Sequence, residues 1–318
     1  MAQPPIVTAY AGTTPWKNTS PALNPAFTTF FPNQVNGLAL WLDGNDVNGD
    51  GTTPLANELI SSWVNRASTI YTCAQGTSSN APTYNTLHGI NFSNDNTGAG
   101  GSIQGFDLDY PSYNNNETIY TVVNYSNTTG SADMHILYTI GSTGRRFYID
   151  KFNTLTTSIN GAVVIDKGIL TQNTTTLVNS LISPTQVTHY VDGTSKGSSN
   201  YSVFSGTGTS YLGFDNYLGS NCFNGTMYEV LIYSNVLADS DRYKIEAYLY
   251  QKWAFNLDPT NPYKISGYSN YNYPFINSNN FIGTKSFTFT GSIDSNSYTL
   301  IKNYYTKLTN IISNATFP

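Results

Sequence analysis

Residues 37–51 read GLALWLDGNDVNGDG and combine two patterns that together indicate the fold. The first is a short apolar run at 38–42, which includes a tryptophan and has the length of a buried strand. The second is a loop directly after it, in which Asp, Asn and Gly are interleaved. A buried strand that leads into such a loop is typical of a β-sandwich whose chemistry, if it has any, lies on its edge loops.

The composition indicates a folded protein with an uncharged polar surface. Charged residues make up 10% of the 318 residues, well below the roughly 25% of an average globular protein. Disorder would require a low apolar content as well, whereas hydrophobic residues reach 39% and aromatic residues 14%. The abundance of Tyr and Thr favours strands.

The charge pattern and the hydropathy argue against two classes of partner. The net charge is −5 and the Lys and Arg residues are scattered, so we expect no nucleic-acid binding. No segment approaches 18 consecutive apolar residues, so we expect no membrane span, and the first residues lack the pattern of a secretory signal. Cys73 and Cys222 could form one bridge, but two buried free thiols are the favoured expectation.

Short strands separated by polar turns are predicted through the middle of the chain. The dipeptides Asn160-Gly161 and Asp192-Gly193 are typical of tight β-hairpins. A spacing of about ten residues between strands points to a sandwich or jelly roll. The predicted strands are residues 38–42, 89–92, 118–125, 134–140, 146–150, 154–159, 161–166, 174–182, 186–191, 211–214 and 226–233.

One amphipathic helix is predicted at Asp239–Trp253, after the last of these strands. Ile245, Leu249 and Trp253 recur every fourth residue and would share one face against the sandwich. Asp239 is expected to cap the first turn and to suit the positive end of the helix dipole.

The sequence pattern divides the chain into three parts. Residues 1–36 form a Pro-, Thr- and Asn-rich N-terminal arm, 37–256 the β-sandwich, and 257–318 a C-terminal extension. The extension is expected to dock on the sandwich or on a neighbouring subunit. Its predicted elements are strands at 286–290 and 298–301, or a short helix at 300–312.

Three segments carry the most specific motifs of the chain. They are GLALWLDGNDVNGDG with the following ISSWVN at 60–65, THYVDG at 188–193, and NGTMYEVLIYSNVLADSDRYKIEAYLYQKW at 224–253. Together they resemble the laminin-G-like, concanavalin-A-like jelly-roll superfamily of lectins and glucanases. The resemblance covers residues 37–256 and implies an all-β, two-sheet antiparallel sandwich with one C-terminal amphipathic helix.

The end of the third segment narrows this resemblance. YLYQKW with Asn-Pro-Tyr-Lys at 261–264 is similar to copies in virion proteins of large nucleocytoplasmic DNA viruses and in bacterial surface proteins. Ala238 departs from the family, which usually has a capping Ser or Thr there. The superfamily includes lectins, adhesion modules, structural virion proteins and glycoside hydrolases, so the fold does not decide the function.

A glycoside hydrolase on this fold needs two carboxylates about 5–9 Å apart. The superfamily's glucanases carry them in a Glu-x-Asp-x-x-Glu pattern on one strand, which this sequence lacks. Glu229 lies in a predicted strand and is expected to point either to the concave face or to water. We therefore expect no catalytic residue and no enzyme activity. The glutamates of the chain are Glu58, Glu117, Glu229 and Glu246.

Two other patterns are expected to be structural. Residues 193–197 match the nucleophile-elbow pattern G-x-S-x-G by letter, but that motif joins a strand to a helix, and a hairpin turn is predicted here. His88, His135 and His189 lack the spacing of metal ligands.

The loop after the first strand is a candidate calcium site. Asp46, Asn48, Asp50 and Gly51 match positions 1, 3, 5 and 6 of a calcium-binding loop. The twelfth position is Asn57 instead of a bidentate Glu, so binding would be weak, with a Kd of about 0.1–1 mM. The alternative is a polar turn held by its own side-chain-to-backbone hydrogen bonds. No cofactor is required in either case.

Two hypotheses of function remain, with a hydrolase as a disfavoured third. The favoured one is a non-enzymatic structural virion protein, a minor capsid or capsid-surface component whose terminal arms contact other capsid or surface proteins. The alternative is a carbohydrate-binding adhesin on a virion or cell surface. Exposed aromatic and amide groups serve glycan binding and permanent protein contacts equally well. The candidates for such groups are Tyr113, Tyr125, Tyr201, Tyr217 and Asn216.

Overall fold

The computed structural model describes residues 7–8, 30–68, 70–76, 81–85, 87–94, 103–110, 115–126, 134–140, 144–202, 209–215, 222–264 and 287–288. A 3₁₀ turn spans Pro32–Gln34, and the α-helix α1 spans Asp239–Trp253. The strands are β1 (Val7–Thr8), β2 (Leu38–Asp43), β3 (Cys73–Ala74), β4 (Thr83–Asn85), β5 (Gly89–Phe92), β6 (Phe106–Leu108), β7 (Glu117–Tyr125), β8 (Met134–Ile140), β9 (Arg145–Asp150), β10 (Thr154–Ile159), β11 (Ala162–Ile169), β12 (Thr176–Ile182), β13 (Gln186–Val191), β14 (Thr194–Asn200), β15 (Ser210–Leu212), β16 (Gly225–Tyr233) and β17 (Phe287–Thr288).

Two antiparallel sheets form the sandwich, which confirms the predicted fold class. The eight-stranded sheet has the order β14-β13-β12-β7-β16-β5-β4, with β2 also paired to β16. The seven-stranded sheet has the order β11-β10-β9-β8-β15-β6-β3. The predicted helix follows the last strand of the sandwich, as expected.

Strand β16 joins distant parts of the sequence in one sheet. Along one edge it pairs with β7. Along the other edge it pairs first with β5, through residues 225–227, and then with β2, through residues 229–233. The strand predicted at 38–42 is therefore confirmed as β2, and its Leu40 and Leu42 are fully buried.

The hydrophobic core lies between the two sheets and takes alternate residues from each strand. The eight-stranded sheet contributes, among others, Leu40, Leu42, Val230 and Ile232. The seven-stranded sheet contributes, among others, Phe147, Ile149, Leu155 and Leu212. Each of these side chains is at most 1% exposed, and full burial of such a side chain contributes about 1.5–3 kcal/mol to folding.

The two predicted hairpin turns are confirmed by their backbone angles. Asn160 and Gly161 connect β10 to β11 with φ values of 52° and 78°. Asp192 and Gly193 connect β13 to β14 with φ values of 51° and 80°. Positive φ at both central residues is the geometry that an Asn-Gly or Asp-Gly hairpin adopts.

Helix α1 has the predicted bounds, but its N-cap residue is not the predicted one. Ala238 is the N-cap residue and makes no side-chain capping bond, so the prediction that Asp239 caps the helix is wrong. The Asp239 carboxylate instead accepts hydrogen bonds from Arg242, at 3.0 and 3.1 Å, within the first turn. An acid at this place is also favoured by the helix dipole. Ile245 and Leu249 are fully buried, as predicted.

Four strands of the sandwich were not predicted: β3, β4, β6 and β14. The first three have two or three residues, too few to show an alternating pattern. The fourth, TSKGSSN, consists of polar residues and glycine and lies at the edge of the eight-stranded sheet. A polar edge strand resists pairing with other chains but has no hydrophobic periodicity to detect.

The chain divides into two compact units. One comprises residues 30–271 and contains the sandwich; the other comprises residues 1–29 and 272–318. In the second unit β1 pairs in parallel with β17, which lies inside the strand predicted at 286–290. The strand predicted at 298–301 and the alternative helix at 300–312 lie outside the described residues.

Two further expectations concern the cysteines and the membrane. Cys73 and Cys222 are buried and no disulfide joins them, as favoured above. Among the described residues, no helix has the length and apolar character needed to cross a membrane.

Candidate functional site

A cluster of buried charges lies between helix α1 and the eight-stranded sheet. Glu229 of β16 is 1% exposed. Its Oε1 accepts hydrogen bonds from the indole of Trp41, at 2.8 Å, and the hydroxyl of Tyr248, at 3.0 Å. Its Oε2 accepts one from the indole of Trp253, at 2.6 Å, and lies 2.8 Å from the ammonium of Lys252. We call this group and its neighbour Asp43 the Glu229 cluster.

Asp43, the last residue of β2, extends the Glu229 cluster to a second cation. Its Oδ1 lies 2.7 Å from Lys252 Nζ, and its Oδ2 lies 2.6 Å from Arg66 NH1. The Arg66 guanidinium also stacks over the ring of Trp41, 4.5 Å from its centroid. Burial raises the pKa of Glu229, and the Lys252 ammonium opposes that rise. Because Lys252 belongs to α1 while Asp43 and Glu229 belong to strands β2 and β16, the cluster joins the helix to the sheet.

The expectation that Glu229 points to a concave face or to water is therefore wrong. Helix α1 covers its side of the sheet, and residues far away in the sequence, Trp41 and Lys252, supply its partners. The sequence analysis missed this cluster. The available signal was Tyr248 and Lys252, which are four residues apart and therefore lie on the same side of α1.

The other three glutamates are also held by intramolecular partners. Glu58 accepts a hydrogen bond from the backbone of Leu55 at 2.8 Å. Glu246 lies 2.6 Å from Arg242, and burial raises its pKa to about 7. Glu117 pairs with Arg145, and both side chains are buried.

The candidate nucleophile elbow and the histidines take structural places. Residues 194–200 form strand β14, so the strand-to-helix turn of a nucleophile elbow is absent there. His189 is buried between the sheets, with Nε2 2.8 Å from Thr157 Oγ1 and Nδ1 3.3 Å from the Lys167 carbonyl. His88 lies 3.3 Å from the Tyr84 hydroxyl.

The loop after β2 has the hydrogen bonds of a polar turn. Asp46 is buried, and its Oδ1 accepts a hydrogen bond from the Gly51 amide at 2.8 Å. Its Oδ2 lies 3.5 Å from the guanidinium of Arg66, which also pairs with Asp43 of the Glu229 cluster. Asn48 and Asp50 are exposed, and Asp50 accepts two hydrogen bonds from Thr52, which lower its pKa. Among the described residues no group of three or more His, Cys, Asp or Glu side chains is placed to hold a metal ion, and calcium binding here stays a prediction.

A second polar constellation lies on the face of the seven-stranded sheet that points away from the core. Consecutive residues of β9 alternate between the two faces, so Phe147 points into the core and Arg146 away from it. Strand pairing places one outward residue of each neighbouring strand in register with Arg146. We call this line the polar row; it consists of Ser158, Arg146, Thr139, Tyr211 and Asp107.

The polar row crosses five strands and therefore spans about 19 Å at the usual spacing between strands. Arg146 Nε lies 2.8 Å from the buried Asp215 Oδ2, which fixes the guanidinium on this face. In the next outward row, the hydroxyl of Tyr148 hydrogen-bonds with Ser158. Burial raises the pKa of Tyr148; Asp150 and Asp166 also raise it, and Arg146 lowers it. All these groups therefore surround one hydroxyl.

Exposure divides this surface into a floor and a rim. The hydroxyls of the floor are nearly inaccessible, since Thr139 is 0% and Ser158 4% exposed. The side chain of Arg146 is 11% exposed. Asp166 is exposed at the rim, and Val163, in register with Ser158, is 59% exposed.

Two of the aromatic residues predicted for sugar binding, Tyr125 and Tyr201, are described by the structure, and neither is part of this surface. Tyr125 is fully buried, and its hydroxyl donates to the Leu170 carbonyl, so its prediction as an exposed aromatic face is wrong. Tyr201 is half-buried and donates to the Ser183 carbonyl at 2.7 Å. Tyr113, Tyr217 and Asn216 lie outside the described residues. The signal that could have identified the polar row is the polar alternation in β9 and β10.

Comparison with known proteins gives similarities of fold. No protein-family model and no curated protein matches the chain. Trypanosoma rangeli sialidase in complex with sialic acid is 17% identical over 74% of this chain, with a TM-score of 0.48. The chain spans 34–37% of the length of the sialidases it matches.

Two smaller solved domains are similar as well. The CBM40 domain of Ruminococcus gnavus IT-sialidase, bound to α2,3-sialyllactose, is 16% identical over 48% of this chain and 92% of its own, with a TM-score of 0.39. Domain 4 of AbnA, a GH43 extracellular arabinanase from Geobacillus stearothermophilus, in complex with arabinotriose, is 16% identical over 64% of this chain and 95% of its own, with a TM-score of 0.40.

Proposed function

We propose that this chain is a non-enzymatic, carbohydrate-binding β-sandwich of a virion or cell surface. Its binding surface is the outward face of the seven-stranded sheet. The observation that carries the proposal is the polar row, a line of hydroxyl, guanidinium, phenol and carboxylate groups across five strands. The corresponding face of the other sheet is occupied by α1, the α-helix of the described residues.

The chemistry of this face suits carbohydrate. Sugar hydroxyls donate to carboxylates and accept from a guanidinium or another hydroxyl, so a ligand needs both kinds of partner along its length. Asp107 and Asp166 are acceptors, and Arg146, whose side chain is 11% exposed, is a donor. Arg146 is held by Asp215 at 2.8 Å, so binding would cost little ordering of this side chain.

The absence of catalysis is proposed from the state of the glutamates. Glu117, Glu229 and Glu246 are buried and each is paired with a cation. A general acid or a nucleophile must reach the substrate, and these carboxylates face their own chain. Incubation with a panel of oligosaccharides should therefore release no product.

A glycan array followed by calorimetric titration tests the proposal. We expect specific binding in the micromolar range and a loss of about tenfold in affinity, roughly 1.4 kcal/mol, for Arg146→Ala. Tyr148→Phe, which removes one hydroxyl from the same face, is a milder variant if Arg146→Ala does not fold. Lys196→Ala on β14 is the matched control and should bind as the wild type does. Equal affinity in all four proteins, or no binding, would refute the proposal.

A second candidate is a structural component of a virus particle. It is supported by the separate unit that residues 1–29 and 272–318 form, with β1 paired to β17, because such a unit could contact neighbouring capsid or surface proteins. A variant that lacks residues 1–29 should then fold but fail to enter particles. Normal incorporation of this variant would eliminate the candidate.

A further inference from the structure

We propose that Lys252 and Asp43 become covalently joined in the folded chain, by an amide bond between Nζ of the lysine and Cγ of the aspartate. Glu229 carries the proton that this condensation has to move. The proposal stands on the Glu229 cluster and does not depend on glycan binding by the seven-stranded sheet.

Strand pairing and the helix bring the three reacting groups together. Asp43 of β2 and Glu229 of β16 are direct partners in the antiparallel ladder, so their side chains lie beside each other on one face of the sheet. Lys252 reaches this face from α1, and its Nζ lies 2.7 Å from Asp43 Oδ1 and 2.8 Å from Glu229 Oε2. Since Oδ1 is bonded to Cγ, the nitrogen lies within about 4 Å of the carbon that it would attack.

Burial keeps these groups in contact and away from bulk water. The side chains are 7% exposed for Lys252, 1% for Asp43 and 0% for Glu229. Condensation of an amine with an acid releases water, so it is unfavourable when both groups move freely in solution. Groups held in a reactive orientation behave as if present at about 10⁵–10⁸ M. The fold therefore supplies the concentration that the condensation needs.

The type of cation in the Glu229 cluster also matters. Glu117 and Glu246 are buried glutamates that pair with guanidinium groups. A guanidinium keeps its proton in proteins, whereas the amine of a lysine becomes a nucleophile once it has lost one. Lys252 therefore gives this cluster a chemistry that those two buried pairs lack.

The ion pair of Lys252 and Asp43 contains every atom of the products, because an ammonium and a carboxylate yield one amide and one water. The ammonium gives a proton to Asp43 Oδ1 across the 2.7 Å contact, and the resulting amine attacks Cγ. The nitrogen, now bonded to Cγ, gives a second proton to Glu229 Oε2. Glu229 passes this proton to the Oδ1 hydroxyl, the bond between Cγ and Oδ1 breaks, and water leaves. Glu229 is again a carboxylate, and no oxidant or other reactant is consumed.

Two further contacts of the cluster suit these steps. Arg66 NH1 lies 2.6 Å from Asp43 Oδ2, the oxygen that becomes negatively charged when the nitrogen attacks, so the guanidinium stabilises that charge. The indole of Trp253 donates a 2.6 Å hydrogen bond to Glu229 Oε2 and fixes this oxygen beside Nζ. Burial raises the pKa of Glu229, which makes its carboxylate a better acceptor for the proton.

Mass spectrometry of the intact full chain tests the bond. We expect a mass that is lower than that of the sequence by one water molecule. A protease digest should contain a branched peptide that joins the segments around Asp43 and Lys252. Because Asp43 precedes Gly44, and an Asp-Gly step can also lose water by cyclising within one segment, the branched peptide is the decisive observation.

Three variants assign the roles. Lys252→Arg keeps a cation beside the carboxylates but cannot form the amide, so it should have the full mass of its sequence. Glu229→Gln should form the bond at least about a hundredfold more slowly in freshly synthesised protein, since a positioned acid–base group contributes a factor of this size. Lys244→Arg is the matched control. Lys244 lies 2.7 Å from Asp241, but the two side chains are 33% and 38% exposed, so the variant should keep the branched peptide.

The possible outcomes are distinct. A folded wild-type chain with the full mass of its sequence, or a loss of water that stays within one linear peptide, overturns the covalent bond. A Glu229→Gln protein that forms the bond as fast as the wild type overturns the role of Glu229. Neither result changes the proposed function, which is measured separately by glycan binding.

Discussion

The indole Nε1 of Trp253 donates a 2.6 Å hydrogen bond to the carboxylate Oε2 of Glu229, which ties the last residue of α1 to strand β16. The same oxygen lies 2.8 Å from Lys252 Nζ. Helix and sheet are thus joined by a buried ion pair whose remaining lone pairs are occupied by hydrogen-bond donors. Such a pair is costly to break from one side, because the partner is left as an unpaired buried charge.

Glu229→Gln should therefore destabilise the protein by about 3 kcal/mol. The amide that replaces one oxygen is a donor that faces donors, and Lys252 loses one of the two carboxylates described beside it, Glu229 and Asp43. Chemical denaturation followed by circular dichroism measures the change. Asp241→Asn, which breaks a partly exposed pair with Lys244, is the control and should cost less than about 0.5 kcal/mol. Equal losses in the two variants would contradict this account.

Two hairpin glycines with nearly equal φ should respond differently to alanine. A Cβ at Gly161, with φ at +78°, meets no atom within 4 Å, so Gly161→Ala costs only the strained backbone, about 1 kcal/mol. A Cβ at Gly193, with φ at +80°, would lie 2.9 Å from Leu257 Cδ1 and 3.1 Å from Glu246 Oε2. Gly193→Ala should therefore cost at least about 1 kcal/mol more in the free energy of unfolding. If both variants lose the same stability, the close contact at Gly193 does not affect the free energy of unfolding.

His189 should make the protein less stable in acid. Burial lowers its pKa from 6.5 to about 4, so the unfolded chain takes up a proton at a higher pH than the folded chain does. The free energy of unfolding therefore decreases by about 3 kcal/mol in all as the pH falls from 6.5 to 4. His189→Gln should remove this part of the pH dependence, and unfolding free energies of both proteins at pH 4, 5, 6 and 7 measure it. Parallel pH profiles of wild type and variant would disprove the assignment.

Asn179 and Asn65 are buried asparagines that differ in whether their side chains are hydrogen-bonded. Among the described residues, neither Oδ1 nor Nδ2 of Asn179 has a hydrogen-bond partner. Asn65 accepts a 2.9 Å hydrogen bond from the Trp41 amide and donates a 3.1 Å bond to the Ala39 carbonyl. Asn179→Leu should therefore change the stability by less than about 1 kcal/mol, whereas Asn65→Leu should cost about 2–3 kcal/mol. A thermal or denaturant titration of the two variants tests this order, and the reverse order would refute it.

The sequence predicted the longer elements because their periodicity is local. Strands β5, β8, β10 and β13 and helix α1 have the predicted bounds. The Asn-Gly and Asp-Gly turns were predictable for the same reason, since each dipeptide determines its own backbone angles. The strands β3, β4 and β6 form because they pair with neighbouring strands, and their own sequences show no strand pattern.

The sites were less predictable because their residues meet only in the folded chain. Glu229 looks like an ordinary outward strand residue until Lys252 and Trp253 fold over it. The polar row depends on strand register, which brings Asp107 beside Tyr211 across a long stretch of sequence. The buried Asp46 was assigned to a metal loop by spacing alone, although its oxygens are used by Gly51 and approached by Arg66.

The place of Asp43 has a consequence for the order in which the protein is made. A ribosome releases β2 and Asp43 early, but the ammonium that neutralises this carboxylate belongs to Lys252, near the end of the sandwich sequence. Until Lys252 has emerged, β2 cannot bury Asp43 with both of its cations, and β16 is not yet available to pair with it. The first core strand, β2, must therefore stay unpaired during synthesis. The native sandwich is completed in one late step, once β16 and α1 have left the ribosome.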